Sequence, residues 1–202
     1  MSDFVLDQIK ASRDLKTAVL EDVRLVGEVR AAAERIVAAY RAGKKVLLAG
    51  NGGSAADAQH IASELVGQFA KQRPGLAALA LTTDSSILTA IGNDFGYDKV
   101  FSRQIEASGV AGDIFIAIST SGRSPNILEA LRAAKAKGLL TVGLTGADAS
   151  AMTSWCDHHL AVPSRETPRI QEAHCMLGHV LCAVVEEALF GEASGHVQKR
   201  PA

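Results

Sequence analysis

Aromatic side chains are scarce. Only 4% of the 202 residues are Phe, Trp or Tyr, so a core must be built from Ala, Leu, Ile and Val. A surplus of one charge is also missing: 21 Lys and Arg stand against 22 Asp and Glu, a formal net charge of -1. Nucleic acid and anionic membrane surfaces select a basic face, so near-neutrality argues against either as the main partner. No uninterrupted apolar run approaches the ~20 residues that a membrane span needs. The opening MSDFVLDQIK has no basic region followed by an apolar stretch and is not read as a signal peptide. Cysteine is sparse and odd in number: Cys156, Cys175 and Cys182 show no CxxC spacing. That pattern fits reduced thiols in a cytoplasmic protein. Cys175 and Cys182 lie seven apart on a helical segment and read as small core residues.

What is present is an ample apolar fraction, 48%, and 18 glycines that cluster with Ser, Thr and Asn after apolar runs. The length suits one domain with an appended arm. Residues 3–42 read as helix, with Leu25, Val26, Val29, Ala33, Ile36, Val37 and Tyr40 at helical spacing. No clear cap marks a break near residues 19–22, and Gly43 is a fitting stop. The expected organisation is a helical arm over 1–43, an α/β domain over 44–192 and a polar, frayed tail over 193–202. Within the domain, short apolar runs at 46–49, 76–81, 114–118, 139–144 and 159–162 alternate with helical segments at 54–69, 85–108, 124–137, 148–155 and 168–190. Such alternation predicts a three-layer α/β sandwich around a five-stranded parallel sheet. Ligands in such folds bind at the carboxyl ends of the strands.

Two strand-end loops stand out. The first is Gly50-Asn51-Gly52-Gly53-Ser54, opening a helix; the second is Ser119-Thr120-Ser121-Gly122-Arg123-Ser124, followed by Pro125. Glycines let backbone N–H groups face a ligand, and a helix N-terminus favours an anion. Ser124 with Pro125 reads as a cap followed by Pro at the first helical position. Each loop alone also reads as an ordinary strand-to-helix turn; together they point to phosphate. Gly50, Gly52 and Ala55 satisfy the loose dinucleotide fingerprint, but the second hydroxyl loop is foreign to it. A Walker A loop is excluded because no Lys-Ser or Lys-Thr follows Gly53.

On the helix from Ser54, His60 and Glu64 stand at i and i+4, on one face. Spacing alone favours an exposed pair of little consequence over a metal or acid–base pair. The last helix carries Arg169-Ile170-Gln171-Glu172-Ala173-His174 and then His179. His174 reads as a satisfied core histidine, and His158 and His159 as structural or surface residues. Val180 to Val185 is apolar all round, which points to burial, here between subunits. Gln171 and His179 lie ~12 Å apart along a helix and ~80° around it. They do not converge on one small ion from one straight helix. Either Gln171 precedes the helix or the two act in different chains.

Together these pieces resemble the sugar-isomerase (SIS) domain family, and within it the phosphoheptose isomerases, from about residue 45 to 190. The resemblance rests on Gly50-Asn51-Gly52-Gly53-Ser54, Asp57-Ala58-Gln59-His60, Glu64-Leu65, Gly92-Asn93-Asp94-Phe95, the Ser119–Ser124 loop, and Arg169-Ile170-Gln171-Glu172 through His179. It implies that Ser119, Thr120, Ser121 and Ser124 hold a phosphate. Asn51, Gly52, Gly53, Asn93, Asp94 and Gln171 would line the sugar site with Glu64. Glu64 and His179 would be the acid–base pair, and His60, Glu64, Gln171 and His179 would ligate zinc. Gln is an uncommon zinc ligand on general grounds. The family further implies a homotetramer with active sites between subunits. The implied reaction converts sedoheptulose 7-phosphate to D-glycero-D-manno-heptose 7-phosphate, for bacterial lipopolysaccharide and other surface glycans. A non-catalytic relative that binds the bacterial replication initiator is the alternative; it lacks the acid–base pair that Glu64 and His179 preserve here.

Overall fold

The computed structural model describes residues 2–148 and 150–191; the tail expected at 193–202 lies outside them. Helices α1 (Ser2–Glu21) and α2 (Val23–Arg41) precede β1 (Val46–Gly50) and α3 (Gly53–Val66). Then come β2 (Ala78–Ala80), α4 (Ser85–Phe95), a 3₁₀ turn (Tyr97–Lys99), α5 (Ser102–Ser108) and β3 (Ile114–Ile118). The chain continues through α6 (Pro125–Ala136), β4 (Leu140–Thr145), α7 (Ser150–Thr153), β5 (His158–Ala161) and α8 (Thr167–Phe190).

The N-terminal helix is two helices. Asp22 leaves the helical conformation, and its Oδ1 accepts hydrogen bonds from Arg24 N and Leu25 N, 3.0 Å each. An Asp cap is hard to see inside an otherwise continuous helical pattern, because it competes with good helix formers on both sides. The run at 76–81 supplies only three residues of strand, since it pairs on one side alone.

All five strands are parallel, in the order β2-β1-β3-β4-β5. Side chains alternate across a strand. Val46 and Leu48 therefore join Ile114, Ile116, Val142 and Leu144 under α2, α3 and α8. Leu47 and Ala49 join Phe115 and Ala117 under α5 and α6. This is the three-layer sandwich that the alternation predicts. Helix α2 packs across the domain, burying Leu25, Val29, Ala32, Ala33, Ile36 and Val37. Each fully buried aliphatic side chain of this kind contributes at most about 1.5–3 kcal/mol.

Helix α8 is the one described helix long and apolar enough, by length and composition, to cross a membrane. Its inner face is a core face: Leu177, Leu181, Cys182 and Val185 are buried against α2 and α3. Its outer face leaves Val180 and Val184 exposed. Apolarity around the whole circumference is thus half accounted for within one chain.

Candidate active site

The strand order reverses between β1 and β3: β2 lies beyond β1, while β4 and β5 lie beyond β3. A crevice opens at such a switch point, flanked by the loops after the two strands. Both motif loops lie there. Gly52 precedes α3 with a φ of 56°, a conformation that suits glycine, and the chain turns straight into the helix. No side chain caps α3. Across the crevice, Ser124 stands at the cap position of α6 with Pro125 next, as expected. Its hydroxyl does not cap the helix. It lies 3.1 Å from the hydroxyl of Ser119, which is buried. Ser121 Oγ accepts from Arg123 N at 3.3 Å. The amides at the head of α6 are therefore left without a side-chain cap, beside a cluster of hydroxyls.

The two loops are tied by a pair of side-chain amides. Asn51 donates to Asn126 Oδ1 at 2.9 Å, and Asn126 donates back to Asn51 Oδ1 at 2.8 Å. Tyr97 Oη donates to the same Asn51 oxygen at 3.5 Å. Asn126 and Tyr97 are absent from the sequence reading. The one signal for Asn126 was its place in the first turn of α6, where a buried polar side chain needs a partner. Asn93 and Asp94 close the last turn of α4, with Asn93 Nδ2 donating to Asp94 Oδ1 at 2.7 Å. They are exposed, and α4 buries none of its residues in this chain.

A second cluster forms where α3 crosses α8. The crossing is close because Gly178 has no side chain: a Cβ there would stand 2.7 Å from Ile61 Cδ1. The next residues along each helix are His60 and His179. Their Nε2 atoms lie 2.7 Å apart, one donating and the other accepting, and the rings meet edge to face at 4.9 Å. Glu64 Oε1 lies 3.7 Å from His60 Nε2. Phe69 packs on His179 with centroids 5.7 Å apart. The loop carrying Phe69 is fastened by Glu186, whose carboxylate accepts from Phe69 N, Ala70 N and Lys71 N and pairs with Arg73 Nε at 2.9 Å. Burial pushes the Glu186 pKa up, but the three amides and the guanidinium outweigh it and hold it below the ordinary value.

Helix α8 is continuous from Thr167, so Gln171 lies inside it, not on the preceding loop. Its amide packs against Gly53 in the first crevice loop. The structure thus brings His60, Glu64 and His179 together and puts Gln171 with the crevice. Cys175 is the unforeseen member of the second cluster. His60, Cys175 and His179 have ligand atoms all within 4.8 Å of one another. The Cys175 thiol is half-buried, and burial followed by the nearby Asp57 carboxylate pushes its pKa up. Its spacing, four residues from both Gln171 and His179 on one face, was a signal that composition hid. Cys182 is core, as expected. His174 is fully buried, as expected, but only half satisfied: Nε2 donates to Thr145 O at 3.1 Å, while Nδ1 has no hydrogen-bond partner among the described residues, and burial lowers the pKa to about 4. His158 meets Glu28, and His159 meets the Thr145 hydroxyl.

Asp57, one turn before His60, has an Oδ2 with no hydrogen-bond partner among the described residues, and burial raises its pKa. One face of α3 therefore carries Asp57, His60 and Glu64 toward the same crossing.

Comparison with known proteins places these features in context. Models of the SIS domain match residues 9–146 and 107–188. The chain is 55% identical over 190 residues to the phosphoheptose isomerase of Aneurinibacillus thermoaerophilus, covering 94% of this chain and 96% of that protein. It is similar to the solved phosphoheptose isomerase of Neisseria gonorrhoeae, with a TM-score of 0.81 and 41% identity over 92% of this chain and 96% of that one. It also matches that of Francisella tularensis, with a TM-score of 0.87 and 34% identity over 92% of this chain and 97% of that one.

Proposed function

On the premise that the chain belongs to the SIS domain family, among the phosphoheptose isomerases, we propose that it isomerises sedoheptulose 7-phosphate to D-glycero-D-manno-heptose 7-phosphate. The observation that carries this reading is a carboxylate and an imidazole, Glu64 and His179, at the α3–α8 crossing of a chain alike over 94% of its length to an enzyme of that name. The product would enter the synthesis of bacterial lipopolysaccharide and related surface glycans, in the reducing cytoplasm, where three free thiols persist.

In this reading the hydroxyls of Ser119, Thr120, Ser121 and Ser124, with the uncapped head of α6, bind the phosphate. No lysine is required, which suits a chain without a basic surplus. Asn51, Gly52, Gly53, Asn93, Asp94 and the Gln171 amide line the sugar. The phosphate supplies binding energy and orientation, not chemistry. Glu64 takes a proton from C1 of the open-chain ketose, and the C1–C2 enediol forms. The same carboxylic acid returns the proton to C2, leaving the aldehyde at C1. His179 moves the proton of the sugar oxygens. Acid–base help of this kind is worth ~10²–10⁴-fold.

Imidazoles beside a carboxylate are a donor set that suits zinc. His60, Glu64 and His179 would hold the ion, with Gln171 as the further ligand that the resemblance implies. When bound, zinc would polarise the sugar carbonyl and steady the enediolate. A homotetramer would place sites between subunits. The exposed Val180 and Val184 of α8, and Phe4, Leu6 and Ile9 of α1, offer apolar surface for it.

The test is a coupled assay with sedoheptulose 7-phosphate, run before and after chelation and after zinc is restored. Turnover that chelation abolishes and zinc returns is expected. A folded protein with no turnover of this substrate would overturn the reading.

A further inference from the structure

Strands β1 and β3 stay paired up to Gly50 and Ile118, where their ladder ends. The two segments that leave it flank the crevice, and each is fastened on its own side. Residues 51–54 turn into α3, with Ser54 N donating to Asn51 O and Ala55 N to Gly52 O, both at 3.0 Å. The hydroxyl loop is fastened toward β4: Ser119 N donates to Leu144 O and Gly146 N to Thr120 O, again at 3.0 Å each. Among the described residues, the hydrogen-bonded link between 51–54 and 119–126 is the reciprocal amide pair of Asn51 and Asn126, at 2.9 and 2.8 Å.

The two partners differ in their surroundings. Asn126, the second residue of α6, is 3% exposed and spends both of its side-chain hydrogen bonds on Asn51. It presents almost no surface to a ligand. Asn51 is half-buried, on the loop itself. A side-chain amide has two N–H bonds and two oxygen lone pairs. In Asn51 one of each is taken by Asn126, and Tyr97 Oη stands at the other lone pair, 3.5 Å away. One N–H remains. Asn51 is thereby held as a donor, fit for a hydroxyl or carbonyl oxygen of a sugar. Without Asn126, an asparagine flanked by Gly50 and Gly52 is free to rotate and offer either end.

We propose that Asn126 is a positioning residue for the isomerisation: without touching substrate, it fixes the Asn51 amide and holds the sugar loop against the phosphate-binding head of α6. The proposal rests on the reading that Asn51 lines the sugar site of a phosphosugar isomerase. Phosphate and sugar are then gripped by separate loops, and the span between the loops sets where C1 and C2 lie relative to Glu64. A misplacement of ~1 Å can cost about 10²-fold in rate.

The experiment makes Asn126→Ala in wild type and in Asn51→Ala. It reads kcat/KM for sedoheptulose 7-phosphate and competitive inhibition by inorganic phosphate. In wild type the substitution is expected to lower kcat/KM by ~10–10²-fold. The phosphate inhibition constant is expected to hold, because Ser119 and Thr120 keep their backbone ties toward β4. With the Asn51 amide already removed, the same substitution is expected to cost about twofold or less, since a residue that acts through another has nothing left to act on. An equal loss in both backgrounds would overturn the proposal, because Asn126 would then support the fold and not Asn51. An unchanged kcat/KM would overturn it too. So would phosphate inhibition weakened in proportion, which would move Asn126 into the phosphate site. Asn126→Leu fills the space that Ala leaves, and it carries the same expectations if Asn126→Ala fails to fold. Wild type without turnover of this substrate would remove the functional reading and the proposal together. Turnover in wild type with unaffected variants removes the proposal alone.

Discussion

The crevice between β1 and β3 and the crossing of α3 with α8 are built in different ways. In the crevice the polar groups are short hydroxyls, side-chain amides and backbone N–H groups at helix heads, each placed within a few residues of a strand end. At the crossing they are long titratable side chains brought together by two helices more than a hundred residues apart in sequence. The first arrangement suits an anion of fixed charge, which needs many weak donors that do not move. The second suits proton transfer, which needs a few groups whose protonation can change. Gln171 is the link: it belongs to the helix of the second and leans on the loop of the first.

The sharpest way to separate the two regions is Glu64→Gln. Turnover is expected to fall ~10²–10⁴-fold while phosphosugar affinity, measured by calorimetry, holds. Loss of binding along with turnover would mean that the regions are not distinct. Arg73→Ala attacks the crossing through its support. It removes the counter-ion of a buried Glu186 carboxylate, which keeps its three amide donors, and is expected to cost up to ~3–5 kcal/mol of stability read by denaturant unfolding. The same carboxylate fixes a pH dependence. Its folded pKa is depressed, so its contribution is present above the ordinary Glu range and is lost as pH falls through the folded value. Acid unfolding should therefore become shallower in Glu186→Gln, and an unchanged acid profile would contradict this.

Ser124→Ala attacks the crevice alone. Losing one hydroxyl donor to a charged phosphate costs ~1.5–3 kcal/mol of binding, seen as a raised KM with kcat little changed. A fall in kcat of the same size would move Ser124 into the chemistry. Gly178→Ala is smaller in stability. Overpacking against Ile61 costs ~1–3 kcal/mol, partly offset by the ~1 kcal/mol that Ala gains over Gly in a helix. The imidazoles should separate nonetheless, so activity should drop further than the melting temperature. Asp22→Ala is the control: it removes a helix cap remote from both regions, at ~0.5–2 kcal/mol, and should leave kcat and KM untouched.

Legibility followed the same division. The loops at 50–54 and 119–124 were readable because their chemistry is local: strand end, glycine turn and helix head follow one another in sequence. The sheet was readable for the same reason, since runs buried on both faces alternate with helices. Helix boundaries were less so, as Asp22 shows, because a cap is one residue against a pattern of forty. The crossing was readable only by resemblance. Spacing showed that His60 and Glu64 share a face but not what stood opposite. It placed Cys175 with Cys182 as core, yet only Cys182 enters the core. Asn126 was missed because its partner, Asn51, lies 75 residues away.

The amino-acid sequence by itself determined the architecture and the two strand-end loops that flank the crevice, because hydrophobic periodicity and turn chemistry act over a few residues. The tertiary structure alone decided which side chain of α8 faces the His pair. That choice turns on the approach of two helices at Gly178 and Ile61, and no pattern along one strand of sequence encodes a distance between two helices.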